Sequence, residues 1–332
     1  MLALFKEVRF MSSSLLKVEN VTKIFRYGFL GFKFKAVDDV SITIENKPMI
    51  FTIAGESGSG KTTLAKLILR IYKPEQGRIL FMDRNIYEID EDTFHKNIQP
   101  IMQDPYASFN PMQKPTRYLK ETARNIAGIK DEREVEEHVA KTLSYVGLNA
   151  SEIIDKYPHE FSGGELQRLA VARALLPRPK IIIADEPVSM LDASLRINVI
   201  NLFKKIKEDL GIAFIYITHD LATAYYMSDR IAIMFRGTVI ESGESKKVLS
   251  KPLHPYTQAL LESLPEPDSR KRKLWIEKRI RFSTYIEEEE FIAKGCKYVF
   301  RCPYAMDKCK TVVPPYIKVN GTEVRCWLYE SR

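Results

Sequence analysis

Long apolar runs are missing from this sequence of 332 residues. No segment approaches the roughly 18 to 20 consecutive apolar residues that a membrane-spanning helix requires. The opening residues, MLALFKEVRF, include Glu7 and lack the long apolar stretch of a secretory signal. We therefore expect a protein of the cytosol that cannot by itself form a transport pathway.

Cysteine is absent until Cys296, and all four cysteines then lie between that residue and Cys326. Random placement would spread them along the chain, so this clustering indicates a local role.

Blocks of like charge are also scarce. The net charge is +8, and the basic residues are scattered along the chain apart from the run Arg270–Lys273. Scattered charge is typical of a solvated surface and does not by itself predict nucleic-acid binding.

Short apolar strands alternate with amphipathic helices through most of the chain. Residues 16–27 and 37–54 alternate apolar and polar side chains, which predicts a β-rich opening layer. The strands and helices that follow are typical of a parallel sheet, and a polar block with helical periodicity, over residues 91–160, interrupts them. The composition SLPEPDSRKRK near residues 263–275 indicates a linker. The length allows one large domain and a smaller one.

A glycine-rich loop of the form G-x-x-x-x-G-K-T stands between an apolar strand and a helix. Glycines let successive backbone N–H groups and the helix N-terminus converge on phosphates. Lys61 adds a positive charge, and the Thr62 hydroxyl can reach Mg²⁺. The loop therefore predicts binding of a nucleoside triphosphate. The candidate nucleotide-binding residues are Gly55, Glu56, Ser57, Gly58, Ser59, Gly60, Lys61, Thr62 and Thr63.

A second apolar strand ends in two acidic residues, in the run Ile181-Ile182-Ile183-Ala184-Asp185-Glu186. Phosphoryl transfer from a nucleotide needs a carboxylate for the metal and a group that positions the attacking water. We expect Asp185 to face Mg²⁺ and Glu186, one residue further, to face the γ-phosphate. Such a pair is common by chance, so its weight comes from the motifs around it.

The segment Phe161-Ser162-Gly163-Gly164-Glu165 precedes a helix and resembles the LSGGQ sequence of the ATPase subunits of ABC transporters. Ser162 and the N–H groups of Gly163 and Gly164 can hold an anion at a helix N-terminus. In that family the anion is the γ-phosphate of the opposing subunit's nucleotide, so the resemblance implies two chains that close head-to-tail over two ATP molecules. Phe161 and Glu165 depart from the commonest spelling but leave the Ser-Gly-Gly donors in place.

Other elements of the family follow in order. Gln103 resembles the loop glutamine that contacts the metal and the attacking water and couples the nucleotide to the membrane subunits. Asp192 lies in a loop that resembles the one crossing the dimer interface, and His219 resembles the histidine that bonds the γ-phosphate and Glu186. Phe25 follows VTKI as the adenine-stacking aromatic does in the family. Competing aromatics nearby are Tyr27, Phe29 and Phe32.

The resemblance implies a P-loop NTPase of the ABC type, an α/β fold with an antiparallel β subdomain, a RecA-like parallel sheet core and an inserted helical subdomain. To these the chain is expected to add a small C-terminal cysteine-rich domain. The predicted boundaries are 1–14 for an N-terminal extension, 15–262 for the ATPase domain, about 104–178 for its helical subdomain, and 263–332 for the C-terminal domain with four cysteines.

The C-terminal part resembles a narrower branch, the ATPases of oligopeptide and dipeptide importers. It carries the run His254-Pro255-Tyr256-Thr257 and a tail with the pattern G-C…R-C-P-x-A…C…C-W. Members of this branch carry a [4Fe–4S] cluster, which four thiolates suit; zinc and free thiols stay open as alternatives. The cytosolic setting disfavours disulfides. The expected ligands are Cys296, Cys302, Cys309 and Cys326. Because the phosphate motifs lie outside the tail, we expect basal ATP binding to survive the loss of a cysteine.

The resemblance implies an ATP-hydrolysing subunit of an ABC importer for oligopeptides or dipeptides, at the cytoplasmic face of the cell membrane. Its implied partners are a second, related but non-identical ATPase subunit, two membrane-spanning permease subunits, and an extracellular substrate-binding protein that acts through them. An oligosaccharide importer is an alternative for the cargo. A soluble ABC ATPase acting on nucleic acid or ribosomes is more distant, because such proteins usually fuse two ATPase halves or insert a long coiled coil. We expect no nucleic-acid partner.

Overall fold

A computed structural model describes residues 13–27, 32–263 and 287–330. Nearly all of the predicted N-terminal extension, Phe29 and the basic run of the predicted linker lie outside these described residues. Within them, no helix combines the length and the hydropathy that crossing a membrane requires.

The strands form two sheets. The β-strands of the described residues are β1 (Ser14–Tyr27), β2 (Phe32–Glu45), β3 (Ile50–Ala54), β4 (Gln76–Phe81), β5 (Arg84–Asn85), β6 (Ile98–Ile101), β7 (Ile181–Asp185), β8 (Ala213–Thr218), β9 (Arg230–Phe235), β10 (Thr238–Glu244), β11 (Ile317–Val319) and β12 (Thr322–Val324). An antiparallel sheet has the order β2-β1-β4-β5, and a mixed sheet has the order β11-β12-β10-β9-β3-β8-β7-β6. The predicted β-rich opening layer and parallel core are both present.

The helices lie mainly between strands of the larger sheet. In the described residues they are α1 (Lys61–Ile68), α2 (Glu91–Asn97), α3 (Pro115–Asn125), α4 (Glu132–Tyr145), α5 (Ala150–Ile153), α6 (Gly163–Leu175), α7 (Ala193–Leu210), α8 (Leu221–Met227), α9 (Ser245–Ser250), α10 (Pro255–Glu262), α11 (Glu287–Ile292) and α12 (Asp307–Thr311). Local sequence sets their ends: Asp131 caps α4 by accepting from the Glu134 N–H, and Gly211 ends α7 in the left-handed region.

The larger sheet is buried on both faces. Neighbouring residues of its strands enter different clusters, because successive side chains of a strand point to opposite faces. Ile182 and Phe214 pack with the helices α3, α4, α6 and α7, whereas Ile183 and Ile215 pack with α1 and the antiparallel sheet. This explains why β7 and β8 read as continuous apolar runs. The inserted helices α3 to α6 therefore share the core of the central sheet.

The cysteine tail is built into the same sheet. Strand β12 pairs antiparallel with β10, and β11 pairs with β12, so the tail extends one edge of the sheet. Tyr298 of the tail lies in one hydrophobic cluster with Phe235 of β9 and Tyr256 of α10. The packing does not support the expected separate cysteine-rich domain, because the tail completes the sheet and core of the main body.

Helix α7 offers a matched test of this packing. Ile200 is fully buried against the central sheet, whereas Ile197, one turn earlier, is 46% exposed. We expect Ile200→Ala to lower the free energy of unfolding by roughly 2–5 kcal/mol, because it removes buried carbons and leaves a cavity. Ile197→Ala should cost well under half as much. Urea denaturation followed by circular dichroism measures both, and equal losses would contradict the assigned faces of α7.

Candidate active site

Three parallel strands bring the predicted motifs to one edge of the sheet. Strand β8 pairs with β3 on one side and with β7 on the other, with Ala54 beside Thr218 and Ile217 beside Asp185. The glycine-rich loop follows β3, Glu186 follows β7 and His219 follows β8. Segments far apart in the sequence therefore meet where parallel strands end, which is where ligands bind in open α/β sheets.

The shape of the loop depends on glycine at specific positions. Gly60 has a φ of 100° at the start of α1, and a Cβ there would lie 2.3 Å from the backbone oxygen of Ala36. Gly58 is also in the left-handed region, with a φ of 77°. These conformations turn the chain tightly into the helix N-terminus, and the concave backbone suits a phosphate group.

Lys61 lies within the curve of its own loop. Its buried ammonium donates to the backbone oxygens of Gly55, at 2.9 Å, and Glu56, at 2.7 Å. Burial lowers the pKa of Lys61, and the nearby carboxylates of Glu186 and Asp185 oppose this shift. A buried cation held mainly by neutral carbonyls favours an incoming anion, so the lysine is prepared for a phosphate.

Thr62 and Asp185, two of the three predicted magnesium ligands, lie in contact, whereas Gln103, the third, contacts Glu186. The Thr62 hydroxyl donates to Asp185 Oδ1 at 3.2 Å. Burial raises the pKa of Asp185, a hydrogen bond from Thr62 lowers it, and the Glu186 carboxylate raises it further. A divalent cation would compensate the buried charge, and Mg²⁺ takes one or two protein oxygens together with substrate phosphates. The donor chemistry of these two residues therefore fits Mg²⁺.

Two predicted residues, Gln103 and His219, contact the carboxylate of a third, Glu186. Its Oε2 atom accepts from Gln103 Nε2 at 3.4 Å and lies 3.2 Å from His219 Nδ1. The backbone of Glu186 has a φ of 46°, and its N–H donates to the Ile217 oxygen. A non-glycine residue in the left-handed region is uncommon and is often found at functional sites. The turn presents the carboxylate toward both neighbours, 17% exposed.

The Ser-Gly-Gly segment lies at the exposed start of α6. Ser162 caps this helix: its hydroxyl accepts from the Glu165 N–H, and Glu165 Oε2 accepts from the Ser162 N–H at 2.9 Å. Glu165, which departs from the family spelling, thus completes a capping box. Hydrogen bonds to Ser162 lower the pKa of the Glu165 carboxyl. Among the described residues, no hydrogen bond joins Ser162, Gly163 or Gly164 to the glycine-rich loop.

The hydrogen bonds and ring contacts of two further candidates, Asp192 and Phe25, do not reach the site within the described residues. Asp192 is exposed at the start of α7, where its oxygen accepts from the Arg196 N–H. Phe25 is half-buried and its ring lies 5.2 Å from that of Tyr72 and 6.0 Å from that of Phe34. The adenine-stacking role of Phe25 stays a prediction.

Sequence reasoning missed two residues that hold the glycine-rich loop from outside. The Tyr256 hydroxyl accepts from the Glu56 N–H at 3.0 Å. An Arg301 nitrogen, in the cysteine tail, lies 3.4 Å from Glu56 Oε2. Both residues belong to the stretches that indicated the importer branch, but their spacing in the sequence does not predict a contact with the loop.

The four cysteines surround one small cavity. Cys296, Cys302, Cys309 and Cys326 line a space of about 10 Å³, together with His254. Burial raises the pKa of Cys296 to about 12 and that of Cys326 to about 11. Four thiols are a suitable donor set for zinc or iron, but this volume holds roughly one water-sized atom. In the part of the chain that the structure describes, no group of three or more acidic, histidine or cysteine side chains is arranged to hold a metal ion.

Known families and proteins match most of the chain. A family described as ABC transporter matches residues 37–189, and one described as oligopeptide/dipeptide transporter, C-terminal region, matches residues 240–309. The chain is 39% identical over 326 residues to the oligopeptide transport ATP-binding protein AppF of Bacillus subtilis, covering 95% of this chain and 98% of that one. It is 38% identical over 284 residues to the dipeptide transport ATP-binding protein DppF of Haemophilus influenzae, covering 84% of each.

Solved structures show the same fold. The chain is similar to cbiO1 from Clostridium perfringens, part of an ABC transporter complex, with a TM-score of 0.62, 25% identity, and coverage of 82% of this chain and 100% of that one. It is also similar to the ATP-binding cassette MJ0796 in a dimeric post-hydrolysis state with ADP and Pi, with a TM-score of 0.61 and 27% identity. That match covers 70% of this chain and 99% of the other.

The position of Lys61 predicts a loss of nucleotide affinity on its removal. We expect Lys61→Ala to raise the Kd for ATP by about tenfold or more, because hydrogen bonds to charged groups contribute roughly 1.5–3 kcal/mol. Lys246→Ala, at an exposed position of α9, is the control for loss of one positive charge. Isothermal titration calorimetry measures both, and an unchanged Kd for Lys61→Ala would contradict the assignment.

Proposed function

Because the chain belongs to the ATP-binding subunits of ABC transporters of the oligopeptide and dipeptide type, we propose that it hydrolyses ATP to drive peptide import. The observation that carries this proposal is the convergence of Gln103 and His219 on Glu186, beside the Thr62–Asp185 pair. A fold alone does not give a reaction, but these groups are the ones that phosphoryl transfer requires.

Each residue has a distinct task in the proposed hydrolysis. The loop N–H groups and Lys61 would bind the β- and γ-phosphates. Thr62 and Asp185 would hold Mg²⁺, which would supply positive charge beside the phosphate oxygens. Glu186 accepts a hydrogen bond from the attacking water and orients it toward the γ-phosphate. Gln103 and His219 fix the Glu186 carboxylate in place and sense whether the γ-phosphate is present.

A second ATPase subunit completes the site in this proposal. The exposed Ser162 hydroxyl and the N-terminus of α6 make no hydrogen bond to the glycine-rich loop of their own chain in the described residues, which suits a phosphate of another subunit. The similar MJ0796 cassette is dimeric in a post-hydrolysis state with ADP and Pi, which supports the pairing of two ATPase chains. Asp192 then lies at the interface of the two chains, and the partner is a related, non-identical ATPase.

The remaining partners follow from the transport role. Two permease subunits supply the pathway, an extracellular binding protein delivers the cargo to them, and the ATPase acts at the cytoplasmic face. The names of the relatives favour oligopeptides or dipeptides over the oligosaccharide alternative. They give no support to the alternative of a nucleic-acid or ribosome ATPase.

For the cysteine cavity we keep a [4Fe–4S] cluster as a proposal, with zinc as the alternative. The support is the donor set, because four thiols face a single cavity. The size of a single metal ion comes closest to the cavity volume of about 10 Å³. A four-iron cluster is larger, so it would require the cysteine-bearing loops to move apart. The group would join the cysteine-bearing loops of the tail, which is a structural role.

Replacement of Glu186 tests the hydrolysis step. Glu186→Gln should keep ATP affinity within about threefold of wild type while kcat falls by roughly a hundredfold or more, because the water-orienting carboxylate is lost and Asp185 remains. The same change at exposed Glu208, on α7, is the control. Turnover by the Glu186 variant within severalfold of wild type would overturn the assignment.

Metal analysis of protein purified without oxygen tests the cysteine proposal. A cluster predicts brown protein with about four irons per chain and broad absorption near roughly 400 nm, whereas zinc predicts colourless protein with about one ion. Cys309→Ser should remove the metal in either case. If neither metal is present and the serine variant resists proteolysis as well as wild type does, the cysteines are packing residues.

A further inference from the structure

A buried carboxylate joins the cysteine tail to the hairpin next to the glycine-rich loop. Glu290, on α11, is 1% exposed and accepts from Arg236 Nε at 2.7 Å and from Arg301 Nε at 2.6 Å. Arg236 lies in the turn between β9 and β10, where the N–H of the next residue, Gly237, donates to the Ser59 oxygen. The tail is therefore anchored at the loop by charged groups taken out of water.

Arg301 contacts two carboxylates at once. It extends from Glu290 to Glu56, with a nitrogen 3.4 Å from Glu56 Oε2. Burial alone would lower the pKa of Arg301, but the carboxylates of Glu56 and Glu290 raise it. Glu56 is 39% exposed, so its pair with Arg301 is only partly removed from water, whereas the pair of Arg301 with Glu290 is buried.

Glu56 is the point where this network reaches the nucleotide site. It is the second residue of the glycine-rich loop, and its carboxylate lies close enough to Lys61 to favour the charged ammonium. Its backbone oxygen accepts from Lys61, and its N–H donates to Tyr256. The Tyr256 ring in turn packs on Tyr298 of the tail, at 5.5 Å between ring centroids. Arg301 of the tail thus pairs with the Glu56 carboxylate, and Tyr298 of the tail packs on the Tyr256 ring, whose hydroxyl accepts from the Glu56 N–H.

We propose that Arg301 is a positioning residue of the nucleotide site, which pairs with Glu56 and thereby keeps an unbalanced negative charge out of the phosphate-binding loop. The inference rests on the proposed binding of ATP. It adds to the expectation that basal ATP binding survives the loss of a cysteine, which stays a prediction, because Arg301 is not a cysteine but the residue that directly precedes Cys302 in the tail. Arg301 acts on ATP through Glu56 and not by contact with the phosphates.

A double-mutant cycle separates this role from a general loss of structure. We expect Arg301→Gln to raise the Kd for ATP roughly three- to tenfold, the size of one unit charge at about 10 Å from a triphosphate in a partly screened site. Glu56→Gln should lower the Kd. The double variant Arg301→Gln/Glu56→Gln should return to within about twofold of wild type, because the charge that Arg301 balances is gone.

Two controls keep the test specific. Arg301→Lys keeps the charge but cannot contact both Glu290 and Glu56, so its Kd should lie between those of wild type and Arg301→Gln. Arg117→Gln is the control for loss of an exposed arginine, because it breaks a surface pair with Glu121 and should leave the Kd unchanged. Added salt should shrink the effect of Arg301→Gln, because charge effects near solvent are screened. Calorimetric titration with ATP gives each Kd, and thermal melting confirms that each variant is folded.

The outcomes distinguish this inference from the proposed function. Wild-type protein that binds no ATP would overturn the proposed function itself. Wild-type binding with an unchanged Kd for Arg301→Gln, or a raised Kd that Glu56→Gln does not restore, would overturn only the role of Arg301. Should Arg301→Gln fail to fold, Glu56→Gln alone decides: tighter ATP binding supports the charge balance, and weaker or equal binding contradicts it.

Discussion

Parallel pairing of β8 with both β3 and β7 is the constraint on which the active site depends. The registers place Ala54 beside Thr218 and Asp185 beside Ile217, so the residues that follow these strands emerge at one edge. Because successive residues point to opposite faces, a slip by one residue in either pairing would move a strand's buried side chains to the wrong face and shift its motif along the edge. Because these strands are buried on both faces, the cost of that slip would come from the mismatch of their side chains with the two cores they pack against.

Electrostatic compensation is the second requirement of the site. Lys61 and Asp185 are both buried, and burial alone disfavours the charged form of each. The arrangement tolerates this because opposite charges lie nearby and because a nucleotide with its metal would bring the missing charges. A site of this kind stores part of its binding energy as imperfectly solvated charge before the ligand arrives.

Motifs that act through local backbone geometry could be predicted from the sequence. The spacing of Gly55 and Gly60 predicts the tight turn into α1, and the acidic pair after an apolar strand predicts that Asp185 and Glu186 lie at the end of β7, because both motifs depend on the strand that precedes them. The ligands assigned to these side chains stay predictions. The capping box of Ser162 and Glu165 is also predictable from the sequence, because it needs only a serine and a glutamate three residues apart. Comparison with the family motif shows Glu165 only as a residue that differs from the usual one. The role of the tail could not be predicted in this way. The contact between Arg301 and Glu56 joins residues 245 positions apart, and no local pattern fixes such a pairing.

Because a chain is synthesised from its N-terminus, a nascent chain contains Glu56 and β10 before it contains their partners in the tail, Arg301 and β12. A ribosome adds about 5–20 residues per second, so Arg301 follows Glu56 by on the order of ten seconds or more. During that interval the glycine-rich loop carries a carboxylate without its partner, and β10 has an open edge where β12 later pairs. Under the proposed role of Arg301, a nascent subunit would hold ATP less tightly until its tail is made and the sheet is complete.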